Sequence, residues 1–187
     1  RLPKLIAFDL DYTLWDLWID THVTGPLHRN RSTLNEILDK HNEKIKFYKD
    51  VPDILHRLRA EKVIIAACSR THAPKLYVLS FISPGFCLKS VFRARQALSL
   101  LLIAPKPGDG EPIPAVNFFN ELEIYPGSKL THFDRIHQKT GIPYSEMFFD
   151  DEHLNAEVEE LGVTFCLVPQ GVDRDIFEKG LAKWRKR

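Results

Sequence analysis

Asp9 and Asp11 stand two residues apart directly after the apolar run Leu5-Ile6-Ala7-Phe8. A second acidic run, Asp150-Asp151-Glu152, follows Met147-Phe148-Phe149. Two further polar segments share that placement: Ser69-Arg70-Thr71 comes just after Val63 to Ala67, and Pro126-Gly127-Ser128-Lys129 after Leu122 to Tyr125. Carboxylates, a hydroxyl and one lysine brought together suit transfer of a phosphoryl group. A carboxylate can attack a phosphate ester and split the reaction into two steps through an acyl phosphate. Asp9, at a strand tip, is placed for that, and Asp11 can protonate the leaving oxygen and then activate water. An anionic nucleophile and an anionic phosphate repel, so a cation is needed. Mg²⁺ is usually held by one or two carboxylates, with substrate phosphate and water at its other positions. Asp9, Asp150 and Asp151, with the backbone carbonyl of Asp11, are the expected ligands. Ser69, the loop amides at Arg70, and Lys129 near a helix N-terminus are the expected donors to the phosphate.

These segments converge only if the apolar runs lie side by side. Continuous rather than alternating apolarity suits strands covered on both faces, and short runs alternating with amphipathic stretches predict a parallel sheet flanked by helices. Leu5 to Phe8, Val63 to Ala67, Met147 to Phe149 and Phe165 to Val168 read as strands, with Leu122 to Tyr125 a weaker one. Helices are expected after Asp50 as N-cap (Ile54, Leu55, Leu58), over Leu130, Phe133 and Ile136 up to Gly141, over Leu154, Val158 and Leu161 up to Gly162, and over Phe177, Leu181 and Trp184. The fold class is α/β, a doubly wound Rossmann-like sheet, in which ligands bind at the carboxyl ends of the strands. Two stretches break the rhythm. From Trp15 to Tyr48, the segments Trp18 to Val23 and Lys44 to Tyr48 are candidate arms of a hairpin, with a short helix or polar loop at Ser32 to His41. From Phe81 to Asn120, an apolar helix carrying Val91, Ala94, Leu98 and Leu101 precedes a Pro/Gly-rich loop from Pro105 to Pro114.

Taken singly, each polar signal is weak. Asp173-Arg174-Asp175 has the same D-x-D spacing and reads as charge complementing a helix N-terminus. The chemistry rests on four such segments all following strands.

Composition narrows the classes. The 187 residues carry 26 basic and 25 acidic side chains, net +1, which argues against nucleic-acid binding through a basic field. With 44% hydrophobic residues a sizeable core is available, and one domain over residues 1–187 is expected. Cys68, Cys87 and Cys166 form no CxxC pair, which favours a reducing compartment, and the apolar window Ala97 to Ala104 is too short to span a membrane. A strand beginning near Lys4 leaves no room for a signal peptide, so a cytoplasmic location is expected.

At these residues the sequence resembles the haloacid dehalogenase superfamily of phosphatases. An apolar strand followed by D-x-D-x-T appears as Phe8 to Leu14, the Ser or Thr after strand two as Ser69, the Lys as Lys129, and the acidic motif as Asp150-Asp151. Phe8 to Trp15, Ser69-Arg70-Thr71, Ile124 to Lys129, Thr131-His132-Phe133 and Phe148 to Glu152 look like the magnesium-dependent phosphatase 1 family. That resemblance implies a capless domain with a small flap at residues 15–48, one Mg²⁺, and action on phosphotyrosine or phosphosugars, in a small molecule or a phosphoprotein. Residues 81–120 are longer than the family pattern, and His153-Leu154-Asn155 keeps only the Asn of the stretch after the acidic motif.

Cys87 and Arg93 have the C-x5-R spacing of cysteine phosphatases, but the residues between include no Gly to let backbone amides wrap a phosphate. His132 and His137, five apart, do not share a helix face, so they suit solvated or capping roles rather than zinc. A non-catalytic phosphoryl-binding or scaffolding domain on the same fold is the alternative to an enzyme. Sequence leaves open the oligomeric state and whether phosphate passes to water or to another acceptor.

Overall fold

The computed structural model describes residues 1–70, 85–108, 110–151 and 153–187, with the backbone alone for 85–91, 153 and 154. Thr71, Glu152 and the start of the 81–120 stretch fall outside the described residues. In chain order the elements are β1 (Leu5–Phe8), β2 (His28–Arg29), β3 (Ile37–Leu38), β4 (Lys44–Ile45), α1 (Val51–Ala60), β5 (Ile64–Ser69) and α2 (Gly85–Leu100). There follow β6 (Leu102–Ile103), β7 (Ile113–Pro114), β8 (Glu121–Ile124), α3 (Lys129–Thr140), β9 (Met147–Asp151), β10 (Thr164–Leu167) and α4 (Arg174–Arg185).

The five apolar runs form one sheet in the order β10-β9-β1-β5-β8, with every pairing parallel. β1 is central, and Leu5 lies opposite both Ile64 and Met147. Side chains alternate between the faces. Ile6, Phe8, Ile65, Ala67 and Phe148 join a core that takes in residues of α1, α2 and α4, while Leu5, Ala7, Ala66, Cys68, Met147 and Phe149 pack with Phe133 and Ile136 of α3 and with Val158. This is the expected α/β architecture, covered on both faces. No helix among the described residues is long and apolar enough to cross a membrane.

The helix ends follow the chain's own chemistry. The Ser128 hydroxyl accepts from the Leu130 amide at the start of α3, and Gly141 ends the helix in the left-handed region at φ 66°. Asp173 caps α4 by accepting from Ile176 N at 2.7 Å, so the second D-x-D is indeed helix N-terminal charge. Asp50 departs from expectation. It precedes α1 but makes no side-chain cap; its carboxylate accepts from Arg174 N at 3.1 Å, joining the starts of α1 and α4. A Cβ on Gly180 would come within 2.4 Å of the Phe148 ring and 2.9 Å of Cys166 Sγ, so α4 lies close on the sheet because that position has no side chain.

Two elements differ from the sequence pattern. Residues 15–48 hold a three-stranded antiparallel sheet, β2-β3-β4, not a hairpin of Trp18 to Val23 on Lys44 to Tyr48, and the Ser32 to His41 stretch contains β3. Each strand is two residues long, too short for a period, and Asp39 shapes the turn by accepting from the amides of Thr24 (2.9 Å), His41 (2.6 Å) and Glu43 (3.0 Å). The predicted helix at Leu154 to Leu161 is a 3-10 segment, His153–Leu161, broken at Asn155 (φ −113°, ψ 15°). The apolar helix in the longer stretch is α2. Its Ala94, Ala97 and Leu98 are buried in the core, and the loop after it closes as the small β6-β7 ribbon.

Candidate active site

At the carboxyl end of β1 the chain turns sharply. The amides of Thr13 and Leu14 donate to the Leu10 carbonyl (3.3 and 2.8 Å), and Tyr12 adopts φ 53°, a left-handed conformation that non-glycine residues rarely take. The turn starts from Asp9, which is 7% exposed and whose amide donates to the Asp150 carbonyl at 3.0 Å. The tips of β1 and β9 are thus tied together.

Lys129 joins three strands. It opens α3 beneath the rim with no exposed surface. Its ammonium donates to Asp9 Oδ1 at 2.6 Å and to the Cys68 carbonyl, and lies 3.1 Å from Asp151 Oδ2. Burial favours loss of its proton, but the charges of Asp9 and Asp151 outweigh that and raise its affinity for the proton. The sequence reads Lys129 as a point charge for phosphate; the structure places it under the two carboxylates, orienting them.

The acidic pair on β9 is divided by strand alternation. Asp151 shares the face of Phe149, toward Lys129, and its Oδ2 also accepts from Asn155 Nδ2 at 2.6 Å. Asp150 shares the face of Phe148, toward α4. It is fully buried, and burial pushes its carboxyl well above the ordinary range against the opposing pull of the Cys166 thiol beside it.

Asp11 is held by the segment that follows it. Its Oδ1 accepts from Trp15 Nε1 at 2.7 Å and from the Ile19 amide at 3.2 Å. Burial, then the charge of Asp9, push its carboxyl up to about 8, while the two hydrogen bonds oppose them. Trp15 is buried and stacks on Phe47, so it anchors residues 15–48 to the core. Trp18 is 46% exposed and stands edge-on to Tyr12 at 5.3 Å between ring centres, with His22 5.6 Å from Trp18.

Ser69, at the tip of β5, is buried, and its carbonyl accepts from the Tyr125 amide at 3.2 Å. Arg70 turns its guanidinium to Glu157, which also accepts from Ser128 Oγ at 3.1 Å, so the Ser69-Arg70 segment is tied to the start of α3. Asp9, Asp11, Lys129 and Asp151 are therefore gathered by direct bonds or charge, and Ser69 and Arg70 reach the same rim through Tyr125 and Glu157. Sequence reasoning misses Glu157, which carries no motif. It also misjudges His132, which is buried, not solvated. His132 Nε2 bonds the Tyr125 carbonyl at 3.1 Å, its ring meets Tyr125 edge-on at 4.3 Å, and burial with the Lys129 charge pushes it down to about 4. Of the C-x5-R pair, Arg93 Nη1 donates to the Asp20 carbonyl at 3.1 Å, and the Cys87 side chain falls outside the described residues.

Among the described residues no three His, Cys, Asp or Glu side chains gather as a metal cage. What the rim does bring together is the carboxylate oxygens of Asp9 and Asp151, on either side of Lys129. An all-oxygen set with few protein ligands fits Mg²⁺, which keeps several waters. Burial pushes the nearby Cys68 thiol up, so it offers no thiolate to a softer metal.

Comparison with known proteins shows the family of the chain. A family model described as acid phosphatase matches residues 1–187. A HAD-like hydrolase superfamily protein of Schizosaccharomyces pombe is 46% identical over 166 residues, covering 88% of this chain and 85% of that protein. Human magnesium-dependent phosphatase 1 is 39% identical over 188 residues, covering 100% of this chain and 89% of that protein. Two solved hydrolases of the haloacid dehalogenase type share the fold. One, from Xanthomonas campestris, has a TM-score of 0.56 at 8% identity and covers 100% of both chains. The other, from Ehrlichia chaffeensis, has a TM-score of 0.53 at 10% identity and covers 100% of this chain and 98% of that one. The chain belongs to the acid phosphatase family within the haloacid dehalogenase-like hydrolases.

Proposed function

We propose that this protein is a magnesium-dependent phosphomonoesterase that works through an acyl phosphate on Asp9. The observation that carries the reading is Lys129, a buried ammonium bridging Asp9 and Asp151 where the strands end. That bridge holds the Asp9 carboxylate in a fixed direction, as a nucleophile must be. The relative named as a magnesium-dependent phosphatase supports the same reading.

In the first step an Asp9 oxygen bonds to phosphorus, the bond to the leaving oxygen breaks, and the Asp11 carboxyl gives that oxygen its proton. With its carboxyl pushed up to about 8, Asp11 holds the proton at neutral pH. In the second step the Asp11 carboxylate takes a proton from water, water oxygen bonds to phosphorus, and Asp9 is released with inorganic phosphate. Asp9 and Asp151, with the Asp11 carbonyl, are the groups that would hold Mg²⁺; Asn155 steadies Asp151, and Asp150 faces away. Bound Mg²⁺ supplies the positive charge that lets two anions approach. Ser69 and the amides at Arg70 donate to the phosphate oxygens. The substrate is a phosphorylated small molecule or phosphoprotein, with phosphotyrosine and phosphosugars as the candidate classes, its leaving group meeting Tyr12, Trp18 and His22.

The test is phosphate release from p-nitrophenyl phosphate with Mg²⁺, after chelation, and after Mg²⁺ is returned. Activity is lost on chelation and restored by the metal; turnover that survives chelation overturns the reading. A second expectation concerns Asp11→Asn. Toward an alkyl phosphate, whose leaving oxygen needs a proton, the rate falls by roughly 10²–10⁴, the usual worth of general acid catalysis; toward p-nitrophenyl phosphate it falls by less, because only the water-activating second step is hurt. Because the Asp11 carboxyl is protonated below about 8 and charged above it, wild-type turnover of the alkyl ester declines as pH rises through that range, and bound Mg²⁺ moves the decline to lower pH. A pH–rate profile of both proteins checks this: a decline that persists in Asp11→Asn assigns the acid elsewhere.

A further inference from the structure

The helix α2 touches the segment 15–48 at two points. At its middle, Arg93 Nη1 donates to the Asp20 carbonyl at 3.1 Å; just past its end, Leu102 N donates to the Leu34 carbonyl at 3.1 Å. The apolar face of α2 (Ala94, Ala97 and Leu98) is already spent in the core, so the helix is a fixed body against which that segment leans.

What Arg93 grips is the tight turn Trp18 to His22. The amides of Thr21 and His22 return to the Trp18 carbonyl at 3.3 and 2.9 Å, and Trp18 N donates to His22 Nδ1 at 3.3 Å. One residue before Asp20, the Ile19 amide donates to Asp11 Oδ1 at 3.2 Å. The same turn presents Trp18 beside Tyr12, the residue directly after Asp11. A single rigid turn therefore carries one of the two donors that orient Asp11 and the ring beside the leaving group's path. Asp11 and Trp15 lie on the same short segment, but Arg93 is 73 residues from Asp20 and reaches it from another element.

We propose that Arg93 is a positioning residue: by holding the Asp20 carbonyl it fixes the turn that orients Asp11 and that sets Trp18 as the wall for a leaving group with a flat face. This rests on the phosphatase reading above and assigns the α2 stretch the work of a brace. A guanidinium suits the task because it stays charged and holds a carbonyl in a fixed direction.

The test uses the full chain with Arg93→Gln and Arg93→Lys. Two esters are compared, ethyl phosphate, which depends on the acid, and p-nitrophenyl phosphate, which scarcely does. Loss of one hydrogen bond from a charged donor predicts that kcat for ethyl phosphate falls about tenfold in Arg93→Gln, that p-nitrophenyl phosphate, which needs Asp11 only to activate water, falls by less, and that Arg93→Lys recovers most of the loss. Acrylamide quenching of tryptophan fluorescence gives a readout free of catalysis. Of the three tryptophans, Trp15 is 0% and Trp184 6% exposed, so quenching reports Trp18. It increases in Arg93→Gln and returns toward wild type in Arg93→Lys. Unchanged quenching, an equal loss on both esters, or altered quenching with no change in either ester overturns the brace. If the wild type hydrolyses neither ester, the phosphatase reading has failed instead, and quenching alone then decides whether Arg93 holds the turn.

Discussion

Asp9→Asn abolishes phosphate release, with kcat down by at least about three orders of magnitude, the scale on which loss of a nucleophile is felt. The amide has the volume of the carboxylate but cannot form an acyl phosphate. Folding is retained because the surroundings still fit: the Asn oxygen can accept from Lys129, the ammonium keeps Asp151 as a counter-charge, and the backbone bond from residue 9 to the Asp150 carbonyl is untouched. Asp9 is also a proposed metal ligand, so the assay is run over a range of Mg²⁺ to separate weaker metal binding from lost chemistry. The check is the maximal rate at saturating Mg²⁺, with far-UV circular dichroism to establish folding. Activity above a tenth of wild type at saturation would remove Asp9 from the nucleophile's place, and mass spectrometry of the acid-quenched wild type should show the added phosphoryl group.

Lys129→Met is the second large effect, and it falls first on stability. Methionine has a similar length and suits a buried site, so no great cavity opens. It does, however, remove the cation from between Asp9 and Asp151 and the donor from the Cys68 carbonyl. Breaking a buried pair by deleting one partner costs about 3–5 kcal/mol, because the remaining charge is left buried and uncompensated. In a chain of this size each kcal/mol lowers the thermal midpoint by about 2–4 °C, so a fall of roughly 10 °C is expected without metal. Mg²⁺ recovers part of it, since a cation bound to the folded state alone stabilises that state. Turnover falls as well, because Asp9 loses the group that aims it. The measurement is a melting curve for each protein with and without Mg²⁺. A metal-free midpoint equal to wild type would show that Lys129 is not the bridge described above.

Much of the frame is legible in the sequence because parallel strands buried on both faces are written as unbroken apolar runs. The polar residues after those runs are legible for the same reason, as topology sends all the carboxyl ends to one rim. The ends of α3 are marked outright by Ser128 and Gly141. The difference between Asp150 and Asp151 is not legible: adjacent aspartates read alike, and only the register that sets Phe8 beside Asp150 decides which carboxylate turns toward Lys129. The three short strands of residues 15–48 are hidden because the Asp39 carboxylate and its three amide donors shape them in place of hydrophobic periodicity. Glu157 and Arg93 act through contacts spanning 87 and 73 residues, a distance over which spacing in a single sequence carries no signal.

The place of β1 in the sheet bears on how the protein is made. Among the described residues β1 is the first strand of the five-stranded sheet and also its middle one, with partners on both edges, and the second of those, β9, lies about 80 residues beyond the first, β5. At about 5–20 residues per second, a ribosome needs roughly 4–16 s to bridge that gap. Through that interval Leu5 to Phe8 offers an open edge of apolar residues, the kind of template on which chains pair wrongly. A chain cut short before Met147 keeps that edge for good and is expected to aggregate, while the complete chain closes it and, in the same movement, brings Asp151 to Asp9.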